Sequence, residues 1–290
     1  MSGPVAATTP DGSRLHLQHG PIDLIIEALG EKEAVAAAYR QAWDRFRPLL
    51  DELVDELALL RRPFGVEHKD LRGAVARRMA AAVSRFPGQF VTPMAAVAGA
   101  VADEVCDVMW THESTLRRCA VNDGGDIAVR LAPGESFVVG LVPLPQRPAV
   151  LSTATLLAED PVRGVATSGR HGRSFTLGIA DAVTVLAADA ATADVAATLL
   201  ANAVDLPGNP AIRRRPAVEL APDSDLGERL VTVGVGPLAD DEIETALAAG
   251  LAEAERMRTA GTIEAAVLYL EGRVVTAGPL RPNAALGDAS

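Results

Sequence analysis

The chain has 290 residues, of which 49% are hydrophobic, 22% charged and 3% aromatic, and its formal net charge is −11 at pH 7. This composition is typical of a globular protein with a substantial core, in one large domain or two modest ones. The negative charge argues against nucleic acids and anionic membranes as partners, because both would repel it.

The sequence shows neither a targeting segment nor a metal-binding cysteine motif. Residues 1–20 are polar and interrupted by Pro and Gly, and no later stretch is apolar for long enough to cross a bilayer. We therefore expect a cytoplasmic protein with a flexible N-terminus at residues 1–13, one domain at 14–280 and a flexible tail at 281–290. Cys106 and Cys119 lack CxxC spacing, which predicts buried, reduced thiols.

The first elements are two strands and a long helix. Alternating apolar residues predict strands on either side of Gly20-Pro21, through Leu15 and Leu17 and then through Ile22, Leu24 and Ile26. Apolar residues at spacings of three and four predict a helix over residues 35–60. Pro48 should kink this helix.

Two further helices follow. The stripe formed by Leu71, Val75, Met79 and Val83 predicts the first of them. The next should begin at Thr92-Pro93, where an N-cap hydroxyl precedes a proline that lacks only an unneeded N–H. Its buried stripe is expected at Val97, Val101, Val105 and Val108. The small residues at 95–100 would let a ligand or another backbone approach closely.

The rest of the chain is predicted to be rich in short strands. They are expected at residues 118–122, 126–131, 137–142, 164–167, 182–186 and 230–235, with a final hairpin at 265–270 and 273–276. Helices are predicted at 193–204 and 240–258. The arginine run at 213–215 is interpreted as a solvated loop and is left out of the site. The expected fold class is α+β, with mixed or antiparallel sheets packed against long helices in one compact unit.

Three short segments have residues suited to binding a ligand, and the first is the turn from Asn122 to Asp126. Gly124 and Gly125 would let the backbone approach a ligand, while the polar side chains would supply hydrogen bonds. Asp-Gly-Gly-Asp is also the composition of an ordinary hairpin turn. Taken alone, the segment leaves both interpretations open.

The second segment, Gly164 to Gly169, is a predicted strand that runs into a small turn with hydroxyl groups. Backbone N–H groups and the Ser168 hydroxyl of such a turn can bind a phosphate, although a plain loop fits equally well. The third segment has Asp194 and Thr198 four residues apart on one helical face, as paired oxygen ligands for a hard cation. Alternatively, Asp194 complements its own helix dipole and Thr192 caps that helix.

The order and separation of these segments resemble the ApbE-like superfamily, whose best-known members are magnesium-dependent FAD:protein FMN transferases. Those proteins carry an N-x-G-G-D/N turn, an S-G turn, a strand and an A-D-x-x-x-T helix. The matching residues are Asn122 to Asp126, Ser168-Gly169, residues 183–186, and Ala193-Asp194 with Thr198. The family segment G-G-I-A-K-G is similar to residues 95–100. The overall layout looks like a short, uncharacterised branch of the superfamily.

The resemblance implies a fold, a cofactor and a set of site residues. It implies that the domain at 14–280 is ApbE-like and that Mg²⁺ is held by Asp194, Thr198 and the backbone carbonyl of Ala98. FAD, or a similar phosphorylated ligand, would then contact the two glycine turns; the implied residues are Asn122, Gly124, Gly125, Asp126, Thr167, Ser168 and Gly169. The expected partner is a small molecule or nucleotide, and the sequence leaves homo-oligomer formation open.

Two departures from the family pattern bear on catalysis. Gly99 stands where the family has the lysine of I-A-K-G, and the family segment H-I-x-D-P has no clear counterpart. His171 is the candidate base. The positive charges of Arg170 and Arg173 beside it should disfavour its protonated form and so lower its basicity. Because loss of a general base costs roughly a hundred- to ten-thousand-fold in rate, we expect poor FMN transfer.

Three functions therefore stay open at this level. The first is a Mg²⁺-dependent protein that binds a flavin nucleotide and transfers or hydrolyses it at a phosphoanhydride. The second is an enzyme of small-molecule metabolism, for example of sulfur, that has reused the pocket. The third is a flavin-binding protein without catalytic activity.

Overall fold

The computed structural model describes residues 3–111, 115–141 and 152–279. The strands are β1 (Val5–Thr8), β2 (Arg14–His19), β3 (Ile22–Gly30), β4 (Leu116–Asp123), β5 (Asp126–Leu131), β6 (Ser136–Leu141), β7 (Ser152–Leu157), β8 (Gly164–Ser168), β9 (Ala182–Ala187), β10 (Ile212–Pro216), β11 (Leu230–Val235), β12 (Ala265–Leu270) and β13 (Arg273–Ala277). The helices are α1 (Lys32–Asp55), α2 (Leu57–Leu60), α3 (Ala74–Val83), α4 (Val97–Met109), α5 (Ala190–Ala203), α6 (Ala217–Leu220) and α7 (Asp240–Thr259).

A nine-stranded sheet organises the molecule. Its strand order is β1-β2-β3-β4-β5-β8-β9-β12-β13, and each neighbouring pair is antiparallel. Two separate ribbons, β6-β7 and β10-β11, are also antiparallel. The chain is thus an α+β domain. Of the two predicted sheet types, mixed and antiparallel, the described residues form the antiparallel one.

Helices cover one face of this sheet, which we call the helix side. From one end of the sheet to the other, α1 packs on β2 and β3, α4 on β4 and β5, α5 on β8 and β9, and α7 on β12 and β13. Side chains alternate between the faces of a strand, so every second residue points to the helices. Val121, Ala128, Ala166 and Val183 are examples, and all are buried in the main core.

The opposite face, the hairpin side, is covered in part by the β6-β7 ribbon. Val139 of β6 and Leu156 of β7 pack with Val129, Val165 and Leu186 of the large sheet in a second, smaller core. The two cores therefore lie on opposite faces of the same central strands.

Most of the predicted elements are confirmed. The long first helix is present as α1 and α2, with Pro48 inside α1. The predicted strand at 137–142 is β6, although its last residue lies outside the described residues, as does the predicted tail at 281–290. Cys106 and Cys119 are buried and unbridged, with their sulfur atoms 3.3 Å apart. None of the described helices has the length and apolarity needed to cross a membrane.

Three local predictions differ from the structure. Thr92 precedes a 3₁₀ turn, but its hydroxyl donates to Asp225 and not to the helix backbone. Asp189, not Thr192, caps α5, because its carboxylate accepts the N–H of Thr192 and the helix begins at Ala190. The arginine run is part of β10, where Arg214 pairs with Asp205 and Arg215 with Glu219.

The strand β1 lies inside the segment predicted as a flexible N-terminus, and it pairs with β2 through Val5 and Gln18. Sequence patterning missed β1, β7 and β10, which are short and stand next to turn-forming residues. A strand of four to six residues carries little alternation, so pairing partners decide its conformation.

Candidate functional site

A cleft of about 280 Å³ opens on the hairpin side of the sheet, at the ends of β4, β5, β8 and β9. Its lining residues are Asn122, Gly124, Gly125, Ile127, Val139, Gly140, Val165, Thr167, Ser168, Gly169, Gly172, Asp181, Ala182 and Thr184. The first two predicted segments therefore meet in one cavity. Apolar side chains from the sheet and from β6 form part of its wall, and glycines and hydroxyls form the rest.

The turn between β4 and β5 has the two central residues Gly124 and Gly125. Their φ angles are +65° and +121°, in the region that favours glycine, so the geometry is that of a tight hairpin. Asn122 Oδ1 accepts the N–H of Gly125 at 2.8 Å and fixes the turn. The segment is thus an ordinary hairpin turn that also forms a wall of the cleft.

The Ser168 turn faces it across the cleft. Gly169 has a φ of +152°, and a Cβ atom there would lie 2.4 Å from the carbonyl oxygen of Asp181, so only glycine fits. Thr167 Oγ1 lies 2.8 Å from Thr184 Oγ1, and both threonines line the cleft. This pair of hydroxyls offers donors and acceptors beside apolar walls, as small-ligand sites commonly do.

Asp126 does not line the cleft, although it belongs to the first segment. It lies on the helix side of β5, like Ala128, and its Oδ1 accepts the N–H of Thr167 at 3.1 Å. This bond ties the first segment to the second. Asp126 also interacts electrostatically with Asp123 and with Asp194 of α5.

These three carboxylates, Asp123, Asp126 and Asp194, form an acidic cluster on the helix side. Burial raises the pKa of Asp123 to about 7, although the backbone of Asp23 and the guanidinium of Arg173 act in the opposite direction. Burial raises the pKa of Asp126 too, and Asp123 adds to the effect. The pKa of Asp194 is raised well above its ordinary range by burial and by the other two carboxylates. The cluster has more negative charge than its surroundings compensate.

Asp194 lies against the N-terminus of α4. Its Oδ2 accepts the N–H of Gly99 at 3.1 Å, and the Ala98 backbone also hydrogen-bonds to it. The Asp194 carboxylate thus accepts hydrogen bonds from backbone N–H groups of this segment. The family resemblance implied a different role for the segment, in which the Ala98 carbonyl is a ligand of Mg²⁺. Thr198 is half-buried one turn further along α5. The alternative, in which Asp194 complements the dipole of its own helix, is wrong, because α5 begins at Ala190 and its first turn has no acidic residue. Asp194 instead stands at the N-terminus of α4.

The donor set of this region fits a hard divalent cation. Carboxylate and hydroxyl oxygens from Asp194, Asp126 and Thr198 are the donor types that Mg²⁺ prefers. Within residues 3–111, 115–141 and 152–279, no group of three or more His, Cys, Asp or Glu side chains is arranged to hold a metal ion by itself. Mg²⁺ commonly binds through one or two carboxylates together with water and substrate phosphates, so the set remains compatible with it.

Gly99 shows why a lysine is absent from its position. A Cβ atom on Gly99 would lie 2.2 Å from the carbonyl oxygen of Ala190, so α4 and α5 approach each other backbone to backbone. Any side chain at this position would separate the two helices. The departure from the family pattern therefore goes together with close packing of the helix ends.

His171 lies beside a carboxylate that sequence reasoning overlooked. Its Nε2 is 3.1 Å from Oδ1 of Asp181, which is buried and lines the cleft. The expected surroundings of two arginines alone are therefore incomplete. Arg170 also bonds to Asp181 Oδ1, and the N–H of Glu271 donates to Oδ2. The pair has the arrangement of a base and the group that orients it, with the carboxylate shared among three partners.

The cleft is smaller than a whole flavin dinucleotide would need. Its volume of about 280 Å³ is close to the lower limit, roughly 300 Å³, of ordinary ligand pockets. It therefore matches part of a dinucleotide, such as a ring system or a sugar phosphate, better than a whole one. Glycines at 124, 125, 140, 169 and 172 leave room for close backbone approach, which suits phosphate oxygens.

Sequence reasoning missed Asp181, Thr184 and Asp123, all of which are buried polar residues. The signal for the first two is the segment Asp181-Ala182-Val183-Thr184, in which polar residues interrupt a run of buried apolar ones. A polar residue at a buried strand position usually has a partner or a function. Asp123 directly precedes the glycine pair, so it was hidden in the turn motif.

In the comparison with protein-family models, residues 6–276 match the family described as AbpE bacteria. Among individual proteins, a UPF0280 protein of Methanosphaerula palustris is 30% identical over 74% of this chain and 83% of its own length. A UPF0280 protein of Methanopyrus kandleri is 39% identical over 57% of this chain, and the match spans 65% of that protein. This chain therefore spans just under two thirds of the length of the Methanopyrus kandleri protein.

Solved structures with a related fold have low sequence identity. The apo form of flavinyl transferase ApbE from Pseudomonas stutzeri is 14% identical, with a TM-score of 0.43 and coverage of 94% of this chain and 93% of that chain. For flavin transferase ApbE from Vibrio cholerae, the identity is 14%, the TM-score 0.37 and the coverage 94% and 96%.

Proposed function

Since the chain belongs to the family described as AbpE bacteria, we propose that it binds a flavin nucleotide, or a ligand of similar phosphorylated chemistry, with the help of Mg²⁺. In this proposal the cleft receives the organic part of the ligand. The glycine turns at Gly124-Gly125 and Ser168-Gly169 receive phosphate oxygens. Asp194, supported by Asp126 and Thr198, holds the cation.

One observation carries the proposal: two turns far apart in the sequence line the same cleft, the first through Asn122 and Gly124-Gly125 and the second through Ser168-Gly169. The bond from the Thr167 N–H to Asp126 then links the cleft to the acidic cluster across the sheet. Backbone N–H groups of glycine turns bind phosphates, and carboxylates bind the cation that accompanies phosphates. The two halves of the site thus suit the two halves of a metal–nucleotide complex.

A bound Mg²⁺ would neutralise phosphate charge and polarise the phosphorus under attack. The protein's own part is to present Asp194, which the N–H of Gly99 holds in place. We expect Asp194→Ala to weaken Mg²⁺ binding and to leave the fold largely intact. A sharp fall of the melting temperature, in a parent protein that shows no metal effect, would instead favour a helix-end role alone.

A second candidate function is transfer or hydrolysis at the phosphoanhydride of the bound nucleotide. It is favoured by the 3.1 Å contact between His171 Nε2 and Asp181. A hydroxyl is a weak nucleophile at neutral pH until a base takes its proton, and His171 is the candidate for that step. Because Arg170 and the Glu271 N–H already bind Asp181, we expect the assistance to be limited and the transfer slow.

The decisive test of ligand binding begins with the purified protein. Denaturation followed by chromatography and mass spectrometry identifies any nucleotide that co-purifies. The stripped protein is then titrated with FAD, FMN and ADP, with and without Mg²⁺. Binding of a flavin nucleotide in the presence of Mg²⁺ is expected. If none of the three binds, the proposal fails, and an enzyme of small-molecule metabolism that has reused the cleft becomes the better account.

Turnover is tested separately by incubation with FAD, Mg²⁺ and a peptide that contains Thr or Ser. Mass spectrometry distinguishes peptide-linked FMN, free FMN with AMP, and unchanged FAD. Slow or absent transfer is expected. Prompt transfer that disappears in His171→Ala would identify this histidine as the base, whereas binding without any product would identify a flavin carrier.

A further inference from the structure

Two reciprocal hydrogen bonds join α4 and α5, each from a backbone N–H in the first turn of one helix to an aspartate of the other. Asp194 of α5 accepts the N–H of Gly99 in the first turn of α4, at 3.1 Å. Asp103 of α4 accepts the N–H of Ala191 in the first turn of α5, at 2.9 Å. Each helix therefore supplies an acceptor to the other helix's unpaired backbone donors. Both donors belong to the close contact between the helices, because a Cβ atom at Gly99 would lie 2.2 Å from Ala190 O and 2.7 Å from Ala191 N.

Asp103 is an unusual residue for a helix interior. Its side chain is fully buried, and its Oδ1 has no hydrogen-bond partner in the described structure. Arg130 is 3.8 Å away but is engaged more closely with Asp107. A buried carboxylate oxygen without a partner costs free energy, so packing alone does not account for an aspartate here.

Capping of α5 does not account for it either. Asp189 already caps this helix, since its Oδ1 accepts the N–H of Thr192 at 2.7 Å. What Asp103 adds is a bond between two helices, which fixes the rotation and the height of the first turn of α5 relative to α4. Asp194 is less than one turn beyond Ala191, so any rotation of α5 there moves its carboxylate.

We propose that Asp103 is a positioning residue: its bond to the Ala191 N–H sets where the Asp194 carboxylate stands. The proposal rests on the proposed function only in that Asp194 holds the cation. Close backbone contact at Gly99 allows the two helices to slide, because glycine presents no side chain to interlock. The reciprocal bonds from Asp103 and Asp194 supply the register that side-chain packing lacks at this point.

The test uses amide hydrogen exchange, measured by NMR on the full chain without metal. The Gly99 amide reports the bond to Asp194, the Ala191 amide reports the bond to Asp103, and the Thr192 amide reports the independent cap by Asp189. In Asp103→Ala, we expect exchange at Gly99 to accelerate roughly tenfold or more relative to Thr192. Asp103→Asn keeps an acceptor for Ala191 and should stay within about threefold of the parent.

Asp194→Ala serves as the reference for complete loss of the Gly99 bond. Unchanged exchange at Gly99 in a folded Asp103→Ala protein would overturn the inference, and so would equal acceleration in the Ala and Asn variants. If Asp103→Ala does not fold, the test rests on Asp103→Asn, which keeps the acceptor and removes the charge. Retained protection at Gly99 would support the hydrogen bond as the cause, and lost protection would show that the charge is what matters.

A second readout, Mn²⁺ affinity by electron paramagnetic resonance, separates this inference from the proposed function. If positioning and metal binding both hold, Asp103→Ala should weaken Mn²⁺ binding roughly tenfold, about 1.4 kcal/mol, and Asp103→Asn should weaken it less. If the parent binds no Mn²⁺ while Gly99 exchange depends on Asp103, the positioning stands and the metal proposal fails.

Discussion

The two faces of the central strands differ in chemistry, although alternate residues of the same strands form both of them. On the hairpin side, neutral groups line the cleft: Asn122, Thr167, Thr184 and several glycines. On the helix side, burial raises the pKa of Asp123, Asp126 and Asp194. The charge of Asp123 raises the pKa of Asp126 further, and both of these carboxylates raise the pKa of Asp194. Adjacent residues of one turn therefore serve opposite faces, and a motif that is continuous in sequence is divided in space.

The proposed function requires one site that spans the sheet. The cleft has donors and apolar walls but little charge of its own besides Asp181, whereas the acidic cluster has charge in excess. Asp126 joins the two, because it stands in the cluster and accepts the N–H of Thr167 in the cleft wall. A ligand with an uncharged ring and a metal-bound phosphate would use both.

The largest effect is expected where the helix ends touch. Gly99→Ala places a Cβ atom 2.2 Å from the Ala190 carbonyl oxygen, so α4 and α5 must separate. We expect a loss of about 3 kcal/mol in the free energy of unfolding, as for severe overpacking. Gly172→Ala on the cleft side is the matched control, since its Cβ would be 3.2 Å from Gly169 O, and its effect should stay within about 0.5 kcal/mol. Urea denaturation measures both, and equal effects would contradict the tight contact.

The next effect concerns pH on the helix side. Because the folded-state pKa of Asp123 is raised from 3.8 to about 7, the folded protein binds more protons than the unfolded chain between these values. Its metal-free stability should therefore fall as the pH rises from 4 to 7, by about 3 kcal/mol from this group. Asp123→Asn should flatten the slope, whereas Asp44→Asn, at an exposed position on α1, should not.

Denaturation at pH 5 and pH 8 in the presence of a chelator measures this difference. Addition of Mg²⁺ at pH 8 should restore stability in the parent protein, because a cation compensates the charges. An identical pH slope in the parent and in Asp123→Asn would show that the acidic cluster carries no excess charge.

A smaller effect separates the two faces in ligand binding. Thr184→Val removes a buried hydroxyl that faces Thr167, and it should weaken FAD binding roughly fivefold, about 1 kcal/mol, with or without Mg²⁺. Thr198→Val on the helix side should weaken binding only when Mg²⁺ is present. Fluorescence titration measures the FAD affinity of both variants with and without Mg²⁺. If the loss of affinity depends on Mg²⁺ in the same way in both, the two faces do not have separate roles in binding.

Much of the fold follows from local patterns. Alternation and helical spacing gave the strands β2 to β5 and the helices α1, α3, α5 and α7, and the motif order gave the resemblance that the family match confirms. The two glycine turns were recognised because turns that need a positive φ usually have glycine there, and glycine is visible in the sequence. The strand pairings and the contribution of β6 to the cleft were not predicted, since they depend on contacts between distant segments.

The electrostatic features were the least predictable from sequence. Asp181 gave no hint that it faces His171, since the two are separated by a loop whose path is set by tertiary contacts. The cap at Asp189 and the bond from Asp194 to Gly99 likewise depend on how α4 meets α5. Side chains of the same type, aspartates above all, take different roles according to which backbone donor they meet.

The central claim is that the cleft and the acidic cluster act as one site, and FAD affinity with and without Mg²⁺ tests it most directly. The titration compares the parent protein with Asp194→Asn, which keeps an acceptor for the Gly99 N–H but removes the charge. Mg²⁺ should tighten FAD binding roughly tenfold in the parent and not in the variant, a coupling of about 1.4 kcal/mol. The same effect of Mg²⁺ in both proteins, or no effect in the parent, would contradict the account.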